Sequence, residues 1–300
     1  MSRIALVTAQ EALGLDADLD PLLGALQALG VEARAVCWDA AVDWSAYDAA
    51  ILRSTWDYVP RLPAFLEWCS RTAAVTRLLN PPEVVRWNTD KHYLVDLHRA
   101  GVPVVPTRFV EPGEGAAEVL TAFLQGERTV GHGGEATEFV LKPAVGAGSK
   151  DAARYGREEV AAAREHLARL LAEGRSAMLQ PYLTSVDARG ETALLCFEGG
   201  FSHAIRKGPL LRRGAGLVAG LFAPEEITPR IPTPEEQRVA EAALRAMPFP
   251  VLLYARVDLI EAPSGDPLVL ELELTEPSLF FAQGPGSAER FARALLRRLG

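Results

Sequence analysis

Three hundred residues, 49% of them hydrophobic and 23% charged, suffice for a sizeable core and suggest two or three domains of an ordinary globular protein. The net charge of −8 comes without any long lysine–arginine run, which argues against a nucleic-acid partner. Cys37, Cys69 and Cys196 are odd in number and lack CxxC spacing, which argues against a disulfide framework and a zinc knuckle.

The chain opens on RIALVT, which reads as a buried strand and not as the core of a signal peptide. No window approaches the roughly 18 apolar residues of a spanning helix, so a cytoplasmic protein without membrane contact is expected. LDPLLGALQALG follows as an amphipathic helix closed by Gly30, and VEARAVCW and YDAAILRS are further strands. Strand and helix alternating in this way imply parallel pairing through crossover helices. RLPAFLEWCSRT is helical, and a second helix is expected from an N-cap at Thr89 to Gly101. VPVVPTRFV is proline-rich and suits a sheet edge or a linker.

Past Pro106 the pattern changes. ATEFVLKPAVGAGSKD is a strand, a glycine loop and then polar residues, followed by the long helix GREEVAAAREHLARLLAEG and the strand SAMLQPYL. RGETALLCFEGGFSHAIRKGP reads as two antiparallel strands joined at Gly199 and Gly200. After a basic, glycine-rich stretch come the helix TPEEQRVAEAALRAM, the strand pair VLLYARVDLIEA and PLVLELEL, and a terminal helix, SAERFARALLRRLG. The expected division is a parallel α/β domain at 1–106 and two α+β regions at 107–183 and 184–300.

The strand PLVLELEL poses the chemical question. Alternation puts Leu270, Leu272 and Leu274 on one face and Glu271 and Glu273 on the other. A half-exposed strand with its polar face in water would explain this. A hairpin that brings Asp258 opposite both glutamates would instead assemble three carboxylates, which need a cation to offset their repulsion. All-oxygen ligands select a hard ion such as Mg²⁺, commonly carried with phosphates. Lys142 ends an apolar strand, and Gly146, Gly148 and Ser149 form a small-residue loop whose backbone N–H groups could meet phosphate oxygens. GAGLVAG, Gly214 to Gly220, has the wrong spacing and context for a dinucleotide fingerprint. Flanked by Arg206, Lys207, Arg212 and Arg213, it suits a cover over an anionic ligand. No GxSxG elbow or cysteine–histidine pairing supports nucleophilic catalysis.

Taken in order, Asp90-Lys91, the strand lysine with its glycine loop, MLQPYL and D…ExE resemble the ATP-grasp superfamily of carboxylate–amine ligases along nearly the whole chain. The resemblance implies an ATP-grasp fold: an N-terminal parallel α/β domain followed by two α+β subdomains that clasp ATP. It implies ATP and Mg²⁺ as cofactors, with Lys91 and Lys142 on the phosphates and Gly146, Gly148 and Ser149 covering them. Gln180, Pro181, Tyr182 and Leu183 would form the adenine hinge, and Glu191 would take the ribose, with Asp187 as a competitor. Arg256 would be the catalytic arginine; Asp258, Glu271 and Glu273 would be the metal ligands. The last ligand is Glu where many relatives have Asn.

Within the superfamily, ILRSTWDYVPRLPAFLEWC, NPPEVVRWNTDKHYL and ELTEPSLFF resemble the cycloserine-biosynthesis branch. That likeness implies a small amino-acid substrate held by Arg53, Ser54, Thr55, Trp56, Tyr58, Arg206 and Ser278. The implied reaction activates a carboxylate as an acyl phosphate, which a nitrogen of the same molecule attacks, with O-ureido-D-serine as the expected substrate. An intermolecular ligase joining two amino acids, or a sensor binding ATP or an amino acid without turnover, is the alternative. No general base is evident in the sequence.

Overall fold

The computed structural model describes residues 2–132, 134–214 and 226–300. Only Gly214 of the Gly214–Gly220 segment falls among them, so the expected cover lies otherwise outside the described residues.

Strands β1 (Arg3–Thr8), β2 (Glu32–Cys37), β3 (Ala49–Ser54) and β4 (Arg77–Leu79) form a parallel sheet in the order β2-β1-β3-β4. Helices α1 (Leu19–Ala28) and α2 (Leu62–Ala73) make the crossovers the sequence pattern predicts. The single helix expected from Thr89 is instead two, α3 (Pro82–Asn88) and α4 (Tyr93–Arg99). Proline in its first turn starts α3, and Thr89 caps its C-terminal end instead of opening a helix. In the break, the Asp90 side chain accepts from the His92 N–H at 3.0 Å and the Lys91 N–H reaches the Ala144 carbonyl at 3.0 Å. Lys91 thereby leaves the helix path.

A second sheet, in the order β5-β8-β6-β7, is antiparallel: β5 (Arg108–Val110), β6 (Glu138–Pro143), β7 (Ala153–Gly156) and β8 (Ala177–Pro181). Helices α5 (Ala116–Leu124) and α6 (Val160–Ala172) cover it. The proline-rich segment does end in an edge strand, β5, while β7 is too short to announce itself by alternation. After α7 (Ser185–Arg189) comes a larger antiparallel sheet in the order β11-β10-β9-β12-β13. Its strands are β9 (Glu191–Phe197), β10 (Gly200–Lys207), β11 (Ile227–Arg230), β12 (Tyr254–Glu261) and β13 (Pro267–Glu273). Helix α8 (Pro234–Ala246) opens on a capping box between Thr233 and Glu236. The last helix, α9 (Ser287–Leu299), packs back on α1, and one core containing Leu22, Leu26, Phe197, Tyr254, Phe291 and Leu295 joins the first and last sheets.

Strand β13 lies at a sheet edge, yet its outer backbone groups are paired. Asn88 donates to the Leu272 carbonyl and accepts from the Leu274 N–H, both at 2.7 Å. The Tyr93 hydroxyl accepts from the Leu272 N–H at 2.9 Å, and Val105 donates to the Val269 carbonyl at 3.0 Å. Helices α3 and α4 are thus fastened to the acidic strand, in place of the open edge that would invite another chain.

The alternation predicted for β13 fails at one residue. Asp258 opposes Glu271 but Leu259 opposes Val269, so Leu270 is an extra residue in a bulge. Leu272 and Leu274 stay in the core while Leu270 turns out with Glu271. Among the described residues no helix is long and apolar enough to cross a membrane.

Candidate active site

A cavity of about 500 Å³ is lined by strands of the two antiparallel sheets and by the segments that follow β1 and β3 of the parallel sheet. At one end lies an apolar slot of Val105, Leu183, Val186, Ile260 and Leu270, the last placed there by the bulge. Gln180, Pro181, Tyr182 and Leu183 all reach the wall. Gln180 donates to the Thr107 hydroxyl at 3.0 Å, and the Tyr182 N–H is already committed to the Glu138 carbonyl at 2.9 Å.

Along the middle run four cations: Lys91, Lys142, Lys207 and Arg256. Buried Lys91 donates to the Gly146 carbonyl at 2.9 Å and pairs with Glu271 at 3.0 Å, tying the glycine loop to β13. Burial opposes its charge, but Glu271 and then Glu273 hold its pKa above the ordinary lysine value. Lys142 makes no ion pair among the described residues. Burial, reinforced by the neighbouring Lys91 and Lys207, pulls its pKa below the ordinary value despite the attraction of Glu271. Gly146, Gly148 and Ser149 line the same stretch, and φ of +61° at Gly148 and +60° at Ser149 turns the loop through left-handed backbone.

Lys207 spans Asp258 at 2.7 Å and Glu191 at 2.8 Å, while Arg256 grips Asp258 at 2.8 and 3.0 Å and also pairs with Glu273. Asp258 is fully buried beneath the wall; burial would raise its pKa, but Arg256 and Lys207 outweigh that and hold it below the carboxylate range. Lys91 and Lys142 do the same for Glu271, whereas burial with Asp258 and Glu271 nearby pushes Glu273 up. Glu271 and Glu273 face the cavity; Asp258 does not reach it. Among the described residues no three metal-ligating side chains converge into a preformed cage. Carboxylate oxygens set among lysines fit a hard ion that arrives with the phosphates of a nucleotide.

Glu191 is on the wall; Asp187 is not, being engaged by the Tyr182 hydroxyl and by Arg154 at 3.6 Å. Two expectations fail. Arg206 lies on the opposite face of β10 from Lys207, as alternation requires, and donates to the Arg189 carbonyl at 2.9 Å. Arg53 and Ser54 finish β3 and Thr55 follows it, all three fully buried and off the cavity wall. Arg53 donates to the Pro277 carbonyl at 3.1 Å and lies 3.7 Å from Asp18; Ser54 pairs with the Thr8 hydroxyl at 2.8 Å. Trp56, Tyr58 and Ser278 do line the far end, together with Asp16, Asp18, Glu276 and Phe280.

That far end is closed by the strap Glu276–Phe281, whose backbone is held by side chains from distant segments. Trp56 donates to the Glu276 carbonyl at 3.0 Å, Arg256 to that of Ser278 at 3.1 Å, and the His203 ring meets that of Leu279 at 2.8 Å. One carboxylate, Asp18, accepts from three N–H groups: Leu279 at 2.6, Phe280 at 3.0 and Phe281 at 2.8 Å. Where the strap passes His203, a Cβ on Gly284 would come within 2.4 Å of the ring, so only glycine fits. Asp18 and Glu276 were not among the residues singled out from the sequence, and Lys207 stood there only as a flank of the basic loop; only a threefold run of partners, none local in sequence, reveals Asp18.

A row of lysines and a glycine loop facing an acidic hairpin, beside an apolar slot, defines an ATP-grasp ligase. The solved ATP-grasp ligase PsnB, complexed with a phosphomimetic variant of its minimal precursor, Mg and ADP, shares the fold at a TM-score of 0.67 and 17% identity, covering 99% of this chain and 98% of that one. Residues 4–80 match the family described as D-cycloserine synthetase DcsG, N-terminal domain. The cycloserine biosynthesis protein DcsG of Streptomyces lavendulae is 43% identical over 307 residues, spanning 100% of this chain and 99% of that protein. The crystal structure of D-cycloserine synthetase DcsG superposes with a TM-score of 0.91 and 41% identity over 100% of both chains. The chain belongs to the DcsG family of ATP-grasp ligases in cycloserine biosynthesis.

Proposed function

We propose that this chain is an ADP-forming cyclo-ligase that converts O-ureido-D-serine to D-cycloserine, the carbamoyl group being lost with the uptake of one water as carbon dioxide and ammonia. The observation that carries this reading is the order along the β12–β13 hairpin on the cavity wall: Ile260 and Leu270 in the apolar slot, then Glu271 with Lys91, then Arg256 with Glu273, then Glu276 beside Trp56. The order suits a nucleotide laid base-first with its last phosphate against a small molecule. The slot takes the adenine beside Gln180, Pro181, Tyr182 and Leu183; Glu191 takes the ribose. Lys91, Lys142 and Lys207 bind the phosphates under the loop of Gly146, Gly148 and Ser149. Magnesium, when bound with the nucleotide at Glu271 and Glu273 above Asp258, supplies charge neutralisation at the phosphates.

Arg256 lies between the carboxylates and the strap, where it can orient the substrate carboxylate toward the terminal phosphate and offset charge on the transferring group. The acyl phosphate then meets a nitrogen of the same molecule, folded against Trp56, Tyr58 and Ser278. An intramolecular attack needs no second pocket, only a held conformation and exclusion of water. The test is mass spectrometry after incubation with ATP, magnesium and O-ureido-D-serine alone. A cyclic product of the cycloserine type with ADP and phosphate is expected; efficient joining of D-alanine pairs without any cyclic product would replace this reading with an intermolecular ligase.

A further inference from the structure

Four glutamates line the cavity: Glu191, Glu271, Glu273 and Glu276. The first three are each paired with a cation, respectively Lys207, Lys91 and Arg256. Glu276 makes no ion pair among the described residues, and the neutral phenol of Tyr58, on the same cavity wall, is the group that acts most on its carboxyl after burial. Its backbone is fixed on both sides, by Trp56 at its own carbonyl and by Arg53 at the Pro277 carbonyl, so the side chain is presented from a rigid turn. A carboxylate neutralised by a lysine or arginine has little tendency to take a proton. A carboxylate without such an ion pair keeps that capacity.

We infer that Glu276, presented beside Tyr58 on the cavity wall, is the proton acceptor for the nitrogen that attacks the acyl phosphate. The inference rests on the ligase reading above and extends it to the second step. In that step the nitrogen's lone pair forms a C–N bond to the acyl carbon. The C–O bond to phosphate breaks, phosphate leaves with the electron pair, and the N–H proton passes to the Glu276 carboxylate. Without an acceptor the nitrogen would carry a positive charge through ring closure, which an electron-poor ureido nitrogen does not tolerate. The surroundings poise the group for this task. Burial, aided by Glu271, lifts its pKa to about 7 against the hydrogen bond from Tyr58 and the charges of Lys91 and Arg256. Cys69 and Tyr254 are the other titratable groups that sense it. A base poised near neutral pH combines a useful unprotonated fraction with real proton affinity.

The experiment separates the two steps. In rapid-quench measurements with ATP, magnesium and the substrate that the wild-type enzyme consumes, Glu276→Gln is expected to form one ADP per site at close to the wild-type rate. Turnover to product should then fall about 100-fold or more, the scale of general-base catalysis. Product formation within threefold of wild type, or loss of the ADP burst together with product, would overturn the inference. Tyr58→Phe is the second variant and serves also where Glu276→Gln does not fold. Removing a phenol that favours the carboxylate raises the pKa of Glu276, so the acidic limb of kcat should lie at higher pH in this variant than in the wild type measured alongside. An unmoved limb refutes the assignment. Failure of the ligase reading shows itself elsewhere, in the wild-type product. If that product is a joined amino-acid pair, the same two variants decide the role of Glu276 on that reaction, since an attacking ammonium must also lose its protons.

Discussion

Asp18→Asn should both destabilise the protein and loosen the amino-acid end of the site while sparing ATP. The carboxylate accepts from the N–H groups of Leu279, Phe280 and Phe281 and lies 3.7 Å from the guanidinium of fully buried Arg53. Asparagine offers one acceptor oxygen and turns an N–H₂ group toward a backbone N–H, so at least one charge-assisted bond is lost, about 1.5–3 kcal/mol. Arg53 also loses its buried counter-charge, a loss of about 3–5 kcal/mol where a pair is broken from one side. These contributions overlap, and a combined cost of roughly 3–5 kcal/mol is the working figure. For 300 residues the unfolding entropy corresponds to about 0.6 kcal/mol per degree, so Tm should fall by roughly 5–8 °C. Differential scanning calorimetry reads that fall. Steady-state kinetics should show the KM for the amino-acid substrate rising about tenfold or more, because Ser278 and Phe280 ride on the strap. The KM for ATP should barely move, because the slot and Lys142 belong to other segments. A Tm within a degree of wild type, or an equal rise in both KM values, would refute the claim that Asp18 fastens the strap.

Glu271→Gln and Glu273→Gln should each abolish ADP formation with the fold intact, since a near-isosteric amide removes the charge that offsets the phosphate-bound ion; near wild-type turnover in either variant removes that residue from the metal site. Lys142→Ala should weaken ATP binding by about 1.5–3 kcal/mol, roughly 10- to 150-fold in Kd, and unchanged affinity by calorimetric titration would exclude Lys142 from phosphate contact. His166 is buried beside Arg169, and burial foremost pulls its pKa down to about 4, below the unfolded value near 6.5. A depressed histidine contributes stability that is complete above pH 6.5 and lost as pH falls toward 4, up to about 3 kcal/mol. His166→Phe should therefore flatten the pH dependence of urea unfolding across that window; an unchanged slope would show that His166 is not the group responsible.

The fold was largely legible because its period is strong. Alternation and apolar runs located β1, β3, β6, β8, β9, β10, β12 and β13, and the hairpin that sets Asp258 opposite Glu271 follows from the turn between them. What escaped was local backbone choice decided by tertiary partners. Thr89 is a good N-cap by propensity, but proline starts α3 about two turns earlier and the Ala144 carbonyl captures Lys91 in the gap. Leu270 fits the apolar face of β13 by spacing alone, and only a bulge, itself set by pairing with Asp258 and Leu259, turns it into the slot. Arg53 is attractive as a carboxylate binder at a strand's end, yet Pro277 and Asp18 had claimed it from segments far along the chain.

Acidic residues in the site show the same limit more sharply. Glu271 and Glu273 stand out because a strand with two charges on one face needs a reason, and spacing supplies the question without the answer. Their state depends on Lys91, Lys142, Lys207 and Arg256, four cations drawn from four different elements or the gaps between them. Glu276 carries no such signal: it falls past the end of β13, in a segment that reads as a polar turn before proline. Its distinction is that, among the described residues, it makes no ion pair while Glu191, Glu271 and Glu273 each make one, which becomes visible only when the pairings are known. On the proposed reading, phosphoryl transfer followed by proton acceptance calls for both kinds of carboxylate within one cavity, some neutralised and one left able to titrate. Placing the second kind beyond the strand, on a strap held by Trp56, Arg53 and Asp18, keeps it close to the cations without being paired by them.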